Sequence, residues 1–243
     1  MRILLIILFT MILAPSPASA QELASILEAH YKAAALERMQ KVETIITTGK
    51  NSYATAGYES AFRIIQSRPN KLRIEGDYQG EKVIQASDGT IGWKYAPGMG
   101  VQEPTEIIGQ ELETLLSLVQ FENPLWNYRE RGATLEIVAQ EGMTQHSMTE
   151  DHLVLTTSLG DIQHFFIDRE SHLINSVKTS QPMGGSETEI EVVVEAYKSV
   201  KGIPFAHHVI TKMNGQVVTT LIFEKVEVNR KIDPSLFEKP VAE

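Results

Sequence analysis

The residues best suited to chemistry in this sequence are its seven histidines and 31 acidic residues. His207 and His208 are the best candidate metal ligands, but neighbouring residues of a strand point to opposite faces, so the pair cannot chelate one ion. Glu189, Glu191 and Glu195 alternate with apolar residues, which is typical of a solvated strand face. General acid–base catalysis needs carboxylates in a pocket that shifts their pKa. Neither set predicts a metal site or a catalytic site.

Nucleophiles and cofactor motifs are missing as well. The sequence contains no cysteine, and we find no G-x-S-x-G, Walker, H-E-x-x-H or G-x-G-x-x-G motif. We therefore predict a protein that is not an enzyme and that uses no cofactor or metal. A lipid hydrolase remains as the weakest alternative.

The N-terminus reads as a secretory signal peptide over residues 1–20. Arg2 precedes the apolar run Ile3–Leu13, and the small-residue triplet Ala18-Ser19-Ala20 matches a cleavage site. The apolar run is shorter than the roughly 20 residues of a transmembrane helix, and no later segment approaches that length. We predict a mature chain that starts at Gln21, has no transmembrane segment and is exported to the periplasm.

The mature chain, residues 21–243, is predicted to form one domain. We find no internal repeat, low-complexity segment or linker that would divide it. The formal net charge of -9 argues against nucleic acid, which is bound by clustered lysines and arginines. We expect a soluble monomer.

The periodicity of apolar residues predicts few helices and many strands. Residues 22–42 show one apolar face at helical spacing, with a bend near the middle. Residues 43–95 alternate with period two and are divided by turn signals such as Gln79-Gly80 and Asp88-Gly89. A second amphipathic helix is predicted at 104–119, because Ile108, Leu112, Leu115 and Val119 recur at helical spacing. Strands return after Gly132.

This pattern predicts an α+β fold. About eleven antiparallel strands each carry one apolar face, and a sheet of that length curls. Two helical segments inside the concave face would give a half-open barrel plugged by helices, with an apolar hollow between sheet and plug. The residues predicted to line this hollow are Leu72, Ile74, Trp93, Tyr95, Ile108, Leu112 and Leu115. For Trp93 and Tyr95, ordinary core packing is the alternative.

The stretch "SRPNKLRIEGDYQGEKVIQASDGTIGWKYAPGMG", residues 67–100, resembles the periplasmic lipoprotein carrier (LolA-type) family of outer-membrane lipoprotein-sorting proteins. The shared features are R-P-N before a strand, then S-D-G, then W-x-Y-x-P. The signal peptide, the helix that follows residues 67–100, the later strands and the ending "VEVNRKIDPSLFEKP" are similar too. The resemblance implies the half-open LolA/LolB-like barrel with a helical lid. This chain is longer in its C-terminal strands, which leaves the cargo open.

The resemblance also implies a function. A carrier of this family binds the acyl chains of lipoproteins or lipids and transfers them from an inner-membrane transporter towards an outer-membrane acceptor. The arginine of the R-P-N motif bonds to the lid and holds the empty cavity closed, a role that would fall on Arg68 as a lid latch. A solvated rim arginine is the alternative for Arg68. An envelope sensor or regulator that binds lipids or lipoproteins with the same fold is the alternative function.

Overall fold

The computed structural model describes residues 17–54, 57–119, 121–138, 149–183 and 185–240. Its helices are α1 (Pro17–Ala33), α2 (Leu36–Met39) and α3 (Gln110–Ser117), with 3₁₀ helices at Pro97–Met99 and Pro234–Phe237. The strands are β1 (Thr44–Tyr53), β2 (Tyr58–Ser67), β3 (Lys71–Tyr78), β4 (Glu81–Ser87), β5 (Gly92–Ala96), β6 (Val101–Ile107), β7 (Thr134–Ile137), β8 (Glu150–Thr156), β9 (Ile162–Asp168), β10 (Ile174–Met183), β11 (Ser186–Val200), β12 (Ile203–Met213) and β13 (Gln216–Val228). Residues 1–16 of the predicted signal peptide lie outside the described residues, and 17–20 form the start of α1.

The strands form a single antiparallel sheet in the order β6-β5-β4-β3-β2-β1-β13-β12-β11-β10-β9-β8-β7. The edge strands β6 and β7 do not pair with each other, so the sheet is open. The predicted half-open antiparallel architecture is confirmed. The sheet formed by the described residues has 13 strands rather than about eleven.

The first and last strands meet at the centre of this sheet. In the pairing of β1 with β13, which we call the seam, Ile45 lies opposite Val228. Just outside it, the Glu43 N–H donates to Asn229 Oδ1 across 186 positions of the sequence. The sheet therefore consists of two meanders, β1–β6 and β7–β13, joined at the seam.

Tight turns connect many of the strands. Gln79-Gly80, Lys201-Gly202 and Asn214-Gly215 each have positive φ at both residues, as a type I′ hairpin requires. Asp88-Gly89 differs from the two-residue hairpin that its sequence predicts. The connection runs over residues 88–91, and the Asp88 carboxylate accepts the N–H groups of Thr90 and Ile91.

The chain between 98 and 119 is the main correction to the sequence-based elements. Residues 101–107 form the edge strand β6, which tolerates Pro104 because an edge need not use every N–H. The helix α3 begins only at Gln110, after Gly109 with φ +59°. The predicted start at 104 was wrong, because Ile108 matches the helical spacing of Leu112 and Leu115 by coincidence.

Alternate strand residues point to opposite faces of the sheet. The face that carries the helices, which we call the inner face, holds three clusters of buried residues. Helix α1 packs on the first of these, α2 borders the second and α3 packs on the third. Their buried members are Leu23, Leu27, Leu125, Tyr128, Leu135, Leu153, Leu155, Phe165 and Ile167; Val42, Ile45, Phe121, Ile203 and Val228; and Leu72, Ile107 and Leu115.

Candidate functional site

Four of the seven predicted cavity residues come together where α3 packs on the inner face. Leu72 and Leu115 are buried there, and Ile74 and Leu112 pack against them. Ile107, which the sequence did not single out, is 1% exposed in the same cluster. These side chains form the contact between sheet and helix, so α3 occupies the place where a hollow was expected.

A glycine of β5 allows α3 to approach the sheet this closely. A Cβ built on Gly92 would lie 2.7 Å from Leu112 Cδ1 and 3.3 Å from Ile107 Cβ. Next to it, Lys94 Nζ donates to Glu111 Oε1 at 2.7 Å and so ties the first turn of α3 to β5. Residue 92 is therefore small because the helix takes the space of a side chain.

The other three predicted cavity residues lie elsewhere. Ile108 is 72% exposed, between β6 and α3. Trp93 and Tyr95 pack with Ile84 and Ala86, and their alternation with Gly92 and Lys94 places them on the outer face. The seven residues thus do not line one space. For Trp93 and Tyr95 the alternative of ordinary packing describes their surroundings better, although on the face opposite to the helices.

Arg68 lies between β2 and β3 and contacts the helical side of the molecule. Its Nε donates to Val42 O at 2.7 Å and its Nη2 to Met39 O at 3.3 Å. Nη2 also forms an ion pair with Glu122, and the guanidinium lies 4.3 Å from the centre of the Phe121 ring. Both carbonyls belong to the predicted helical segment 22–42: Met39 is the last residue of α2, and Val42 follows that helix. Arg68 is therefore no freely solvated arginine.

We define the lid as α1, α2, α3 and the segment 121–130. An open pocket of about 980 Å³, which we call the lid pocket, lies between α1, α2 and residues 126–130. The rings of Tyr31 and Trp126 pack edge to face in it, with their centres 5.3 Å apart, and the Tyr31 hydroxyl donates to Leu125 O. The apolar lining includes Leu23, Ala24, Leu27, Tyr31, Leu36, Trp126 and Tyr128, and the charged lining consists of Glu28, Lys32, Glu37, Arg38, Arg129 and Glu130.

A buried histidine joins α1 to two other segments of the chain. His30 is 2% exposed; its Nδ1 lies 2.7 Å from His172 O, and its Nε2 lies 2.7 Å from Asn123 Nδ2. A neutral imidazole fits this arrangement, because Nδ1–H donates to the carbonyl while Nε2 accepts from the amide. Burial lowers the pKa of His30, which favours the neutral form.

Further along the strands the inner face remains partly accessible. In β11, Ile190, Val192 and Val194 are half-buried and lie opposite Met213, Thr211 and Val209 of β12. In β13, Leu221 and Phe223 are half-buried on the same face. Partly accessible apolar side chains are therefore present on the inner face in β11 and β13. Among the described residues, no helix is long and apolar enough to cross a membrane.

Comparison of the sequence with protein-family models and with curated proteins gives no match. Solved structures do match. A DUF1329 family protein from Desulfovibrio piger superposes with a TM-score of 0.59 at 9% identity, covering 88% of this chain and 97% of the other. A LolA superfamily protein from Nitrosomonas europaea gives 0.57 at 13%, covering 89% and 97%.

A putative outer membrane lipoprotein-sorting protein domain from Vibrio parahaemolyticus gives a TM-score of 0.55 at 14% identity, covering 88% of this chain and 95% of the other. This chain has the LolA-like fold. The LolA-like assignment rests on superposition of nearly the whole chain. At sequence identities this low, the similarity establishes the fold and nothing further.

Within the LolA-like fold, the sequence indicated the position of Arg68 but not its full environment. Glu122 and Phe121 were missed, because they lie in an irregular segment where periodicity carries no information. Most of the lid pocket was missed for the same reason: α1 was predicted, but the residues that face it at 126–130 follow no regular spacing. Their one visible signal is Trp126 itself, a large aromatic residue in a polar stretch.

Proposed function

We propose that the protein is a periplasmic carrier that binds the acyl chains of lipoproteins or lipids and transfers them towards the outer membrane. In this proposal residues 1–20 are removed on export and residues 21–243 act as one domain. The solved LolA-like structures include a lipoprotein-sorting domain and a LolA superfamily protein, which supports this class of cargo. The carrier needs neither a catalytic group nor a cofactor.

The observation that carries the proposal is Arg68, whose bonds join the strands to the helical side of the molecule above the apolar inner face. Arg68 is bonded to two carbonyls and one carboxylate of the helical side. An acyl chain can use the lid pocket, or the half-buried apolar side chains of β11 and β13 on the inner face. Opening the lid breaks the Arg68 contacts, so these contacts set the balance between the closed, empty state and the open, loaded state.

The proposal is tested with Arg68→Leu in the chain Gln21–Glu243. A charge-assisted hydrogen bond is typically worth about 1.5–3 kcal/mol, which shifts an open–closed balance roughly ten- to hundredfold. We expect the variant to bind N-phenyl-1-naphthylamine more tightly. It should release a palmitoylated fluorescent peptide to phospholipid vesicles more slowly by a factor in that range. Arg68→Lys should recover only part of the wild-type rate, because an ammonium lacks the forked donors of guanidinium.

Arg230→Leu is the matched control. Arg230 follows β13 near the same end of the sheet, its side chain is 65% exposed and its ion pair is with Glu227. This variant should release the peptide at the wild-type rate. Wild-type release from Arg68→Leu, with an unchanged melting temperature, would show that Arg68 is not a latch. Failure of the wild-type protein to bind either probe would contradict the carrier function itself.

A further inference from the structure

A second pocket lies on the outer face, away from the lid. It has a volume of about 380 Å³ and lies between the strands β3–β6 and the C-terminal segment 235–240. The indole Nε1 of Trp93 donates to Phe237 O at 3.0 Å, and Phe237 is 2% exposed. The C-terminal wall is therefore held in place. The apolar lining is Ile84, Trp93, Tyr95, Pro104, Leu236 and Pro240.

The lining of this outer pocket also includes Arg73, Ser235 and Glu238, of which Arg73 is buried. Arg73 is 7% exposed and lines the pocket. Its Nε donates to Glu75 Oε1 at 2.6 Å and its Nη1 to Leu236 O at 2.7 Å. Its Nη2 has no hydrogen-bond partner within the part of the chain that the structure describes. Three of the five guanidinium N–H groups, two on Nη2 and one on Nη1, are thus without a partner among the described residues and can donate to a ligand in the pocket that Arg73 lines.

The charges around Arg73 favour an anion. Glu75 is shared by Arg73, by Arg63 at 3.8 Å and by Lys82 at 3.6 Å, so three cations surround one carboxylate. Burial raises the pKa of Glu75, but the hydrogen bond from Arg73 and the neighbouring positive charges outweigh it and lower the pKa overall. Glu75 therefore stays ionised, and a positive excess remains. Two exposed carboxylates oppose this excess: Glu238, which lines the pocket, and Glu106, which lies opposite Trp93 in the pairing of β5 with β6.

We propose that the outer pocket binds a small amphiphilic carboxylate, with the anionic head on Arg73 and the short apolar tail against Trp93 and Tyr95. The volume lies within the range of about 300–1,000 Å³ that is usual for small-molecule sites. The inference is independent of the proposed carrier function, because this pocket lies on the face opposite to the lid.

Because each pocket contains one of the two tryptophans of the chain, tryptophan fluorescence can distinguish binding at one pocket from binding at the other. Trp93 lines the outer pocket and Trp126 the lid pocket. Decanoate is titrated into Trp126→Phe, where Trp93 is the sole reporter, and into Trp93→Phe, where Trp126 reports. Decanol, which has the same tail without the charge, is the matched ligand control. We expect decanoate to produce a saturable change of Trp93 emission, and decanol to bind about ten- to hundredfold more weakly.

Protein variants complete the test. In the Trp126→Phe background, Arg73→Lys should weaken decanoate binding while the melting temperature shows that the protein is folded. Lys225→Met, which removes an exposed cation on β13, should leave binding unchanged. Equal binding of decanoate and decanol at Trp93 would overturn the proposal. So would a decanoate response confined to Trp126, or a folded Arg73→Lys protein with wild-type affinity.

Discussion

Arg68 contacts the helical side of the molecule through three kinds of group: carbonyl oxygens, a carboxylate and an aromatic ring. The R-P-N motif also contributes its asparagine, because Asn70 Nδ2 donates to Gly89 O at 3.1 Å. The two motifs R-P-N and S-D-G, about twenty residues apart in sequence, are therefore neighbours in space. Their joint presence has a structural reason: the S-D-G motif forms the turn between β4 and β5, and Asn70 of the R-P-N motif hydrogen-bonds to that turn.

We expect His30 to make the free energy of unfolding depend on pH. Because its pKa is lowered in the folded protein by burial, the unfolded chain binds the proton more readily than the folded one. The contribution of His30 to stability is complete above the ordinary value of 6.5 and is lost as the pH falls through the lowered pKa. We expect the free energy of unfolding, measured with urea, to decrease between pH 7.5 and pH 5 partly through this residue.

The variant His30→Gln should reduce that decrease, because an amide can replace both hydrogen bonds without titrating. His208→Gln serves as the control, since His208 is one-third exposed and paired with Glu195 rather than with the lid. An undiminished pH dependence in His30→Gln would show that other groups account for it. The same buried histidine could not be recognised from the sequence, where it is one of several polar residues in an amphipathic helix.

At the scale of elements, the boundary between β6 and α3 gives two adjacent isoleucines opposite surroundings. Ile107 is 1% exposed and Ile108 is 72% exposed. We expect Ile107→Ala to lower the free energy of unfolding by about 2–5 kcal/mol, as for other buried isoleucines. Ile108→Ala should stay within about 0.5 kcal/mol of the wild type, as exposed sites usually do. Thermal or urea unfolding of both proteins provides the measurement.

The helical interpretation of residues 104–119 makes the reverse prediction, since it places Ile108 on the apolar face. A large loss of stability in Ile108→Ala would support that interpretation and contradict the strand. The error arose because Ile108 and Leu112 are spaced as in a helix. Gly109, whose positive φ prevents the helix from starting before Gln110, gave no warning, because glycine is also tolerated inside helices. Periodicity alone does not distinguish these cases.

At the scale of the whole molecule, the antiparallel sheet and its helical cover were predictable from alternation and turn signals. Gln79-Gly80, Lys201-Gly202 and Asn214-Gly215 all lie in tight turns. The side of the sheet that each aromatic faces was not predictable in the same way. Trp93 and Leu72 both alternate with polar neighbours, and the sequence does not show that a C-terminal segment covers the second face near β3–β5. Arg73, which looks like a solvated residue, is buried there for the same reason.

The seam between β1 and β13 has a consequence for the order in which the molecule folds. Each meander can form from neighbouring hairpins, but the centre of the sheet forms only when β13 pairs with β1. Closing so long a loop costs entropy before any contact is gained, so we expect the joining of the two meanders to limit the refolding rate. Until then β1 presents an unpaired edge, which is prone to association with other chains.

Stopped-flow refolding can detect this step. Val228→Ala, at the buried seam, should slow refolding, whereas Leu153→Ala, in the local pairing of β8 with β9, should mainly accelerate unfolding. Unchanged refolding of Val228→Ala would mean that the meanders join after the slow step. If the seam does form in that step, a chain that lacks β13 leaves β1 and β12 as unpaired edges, where association with other chains can begin.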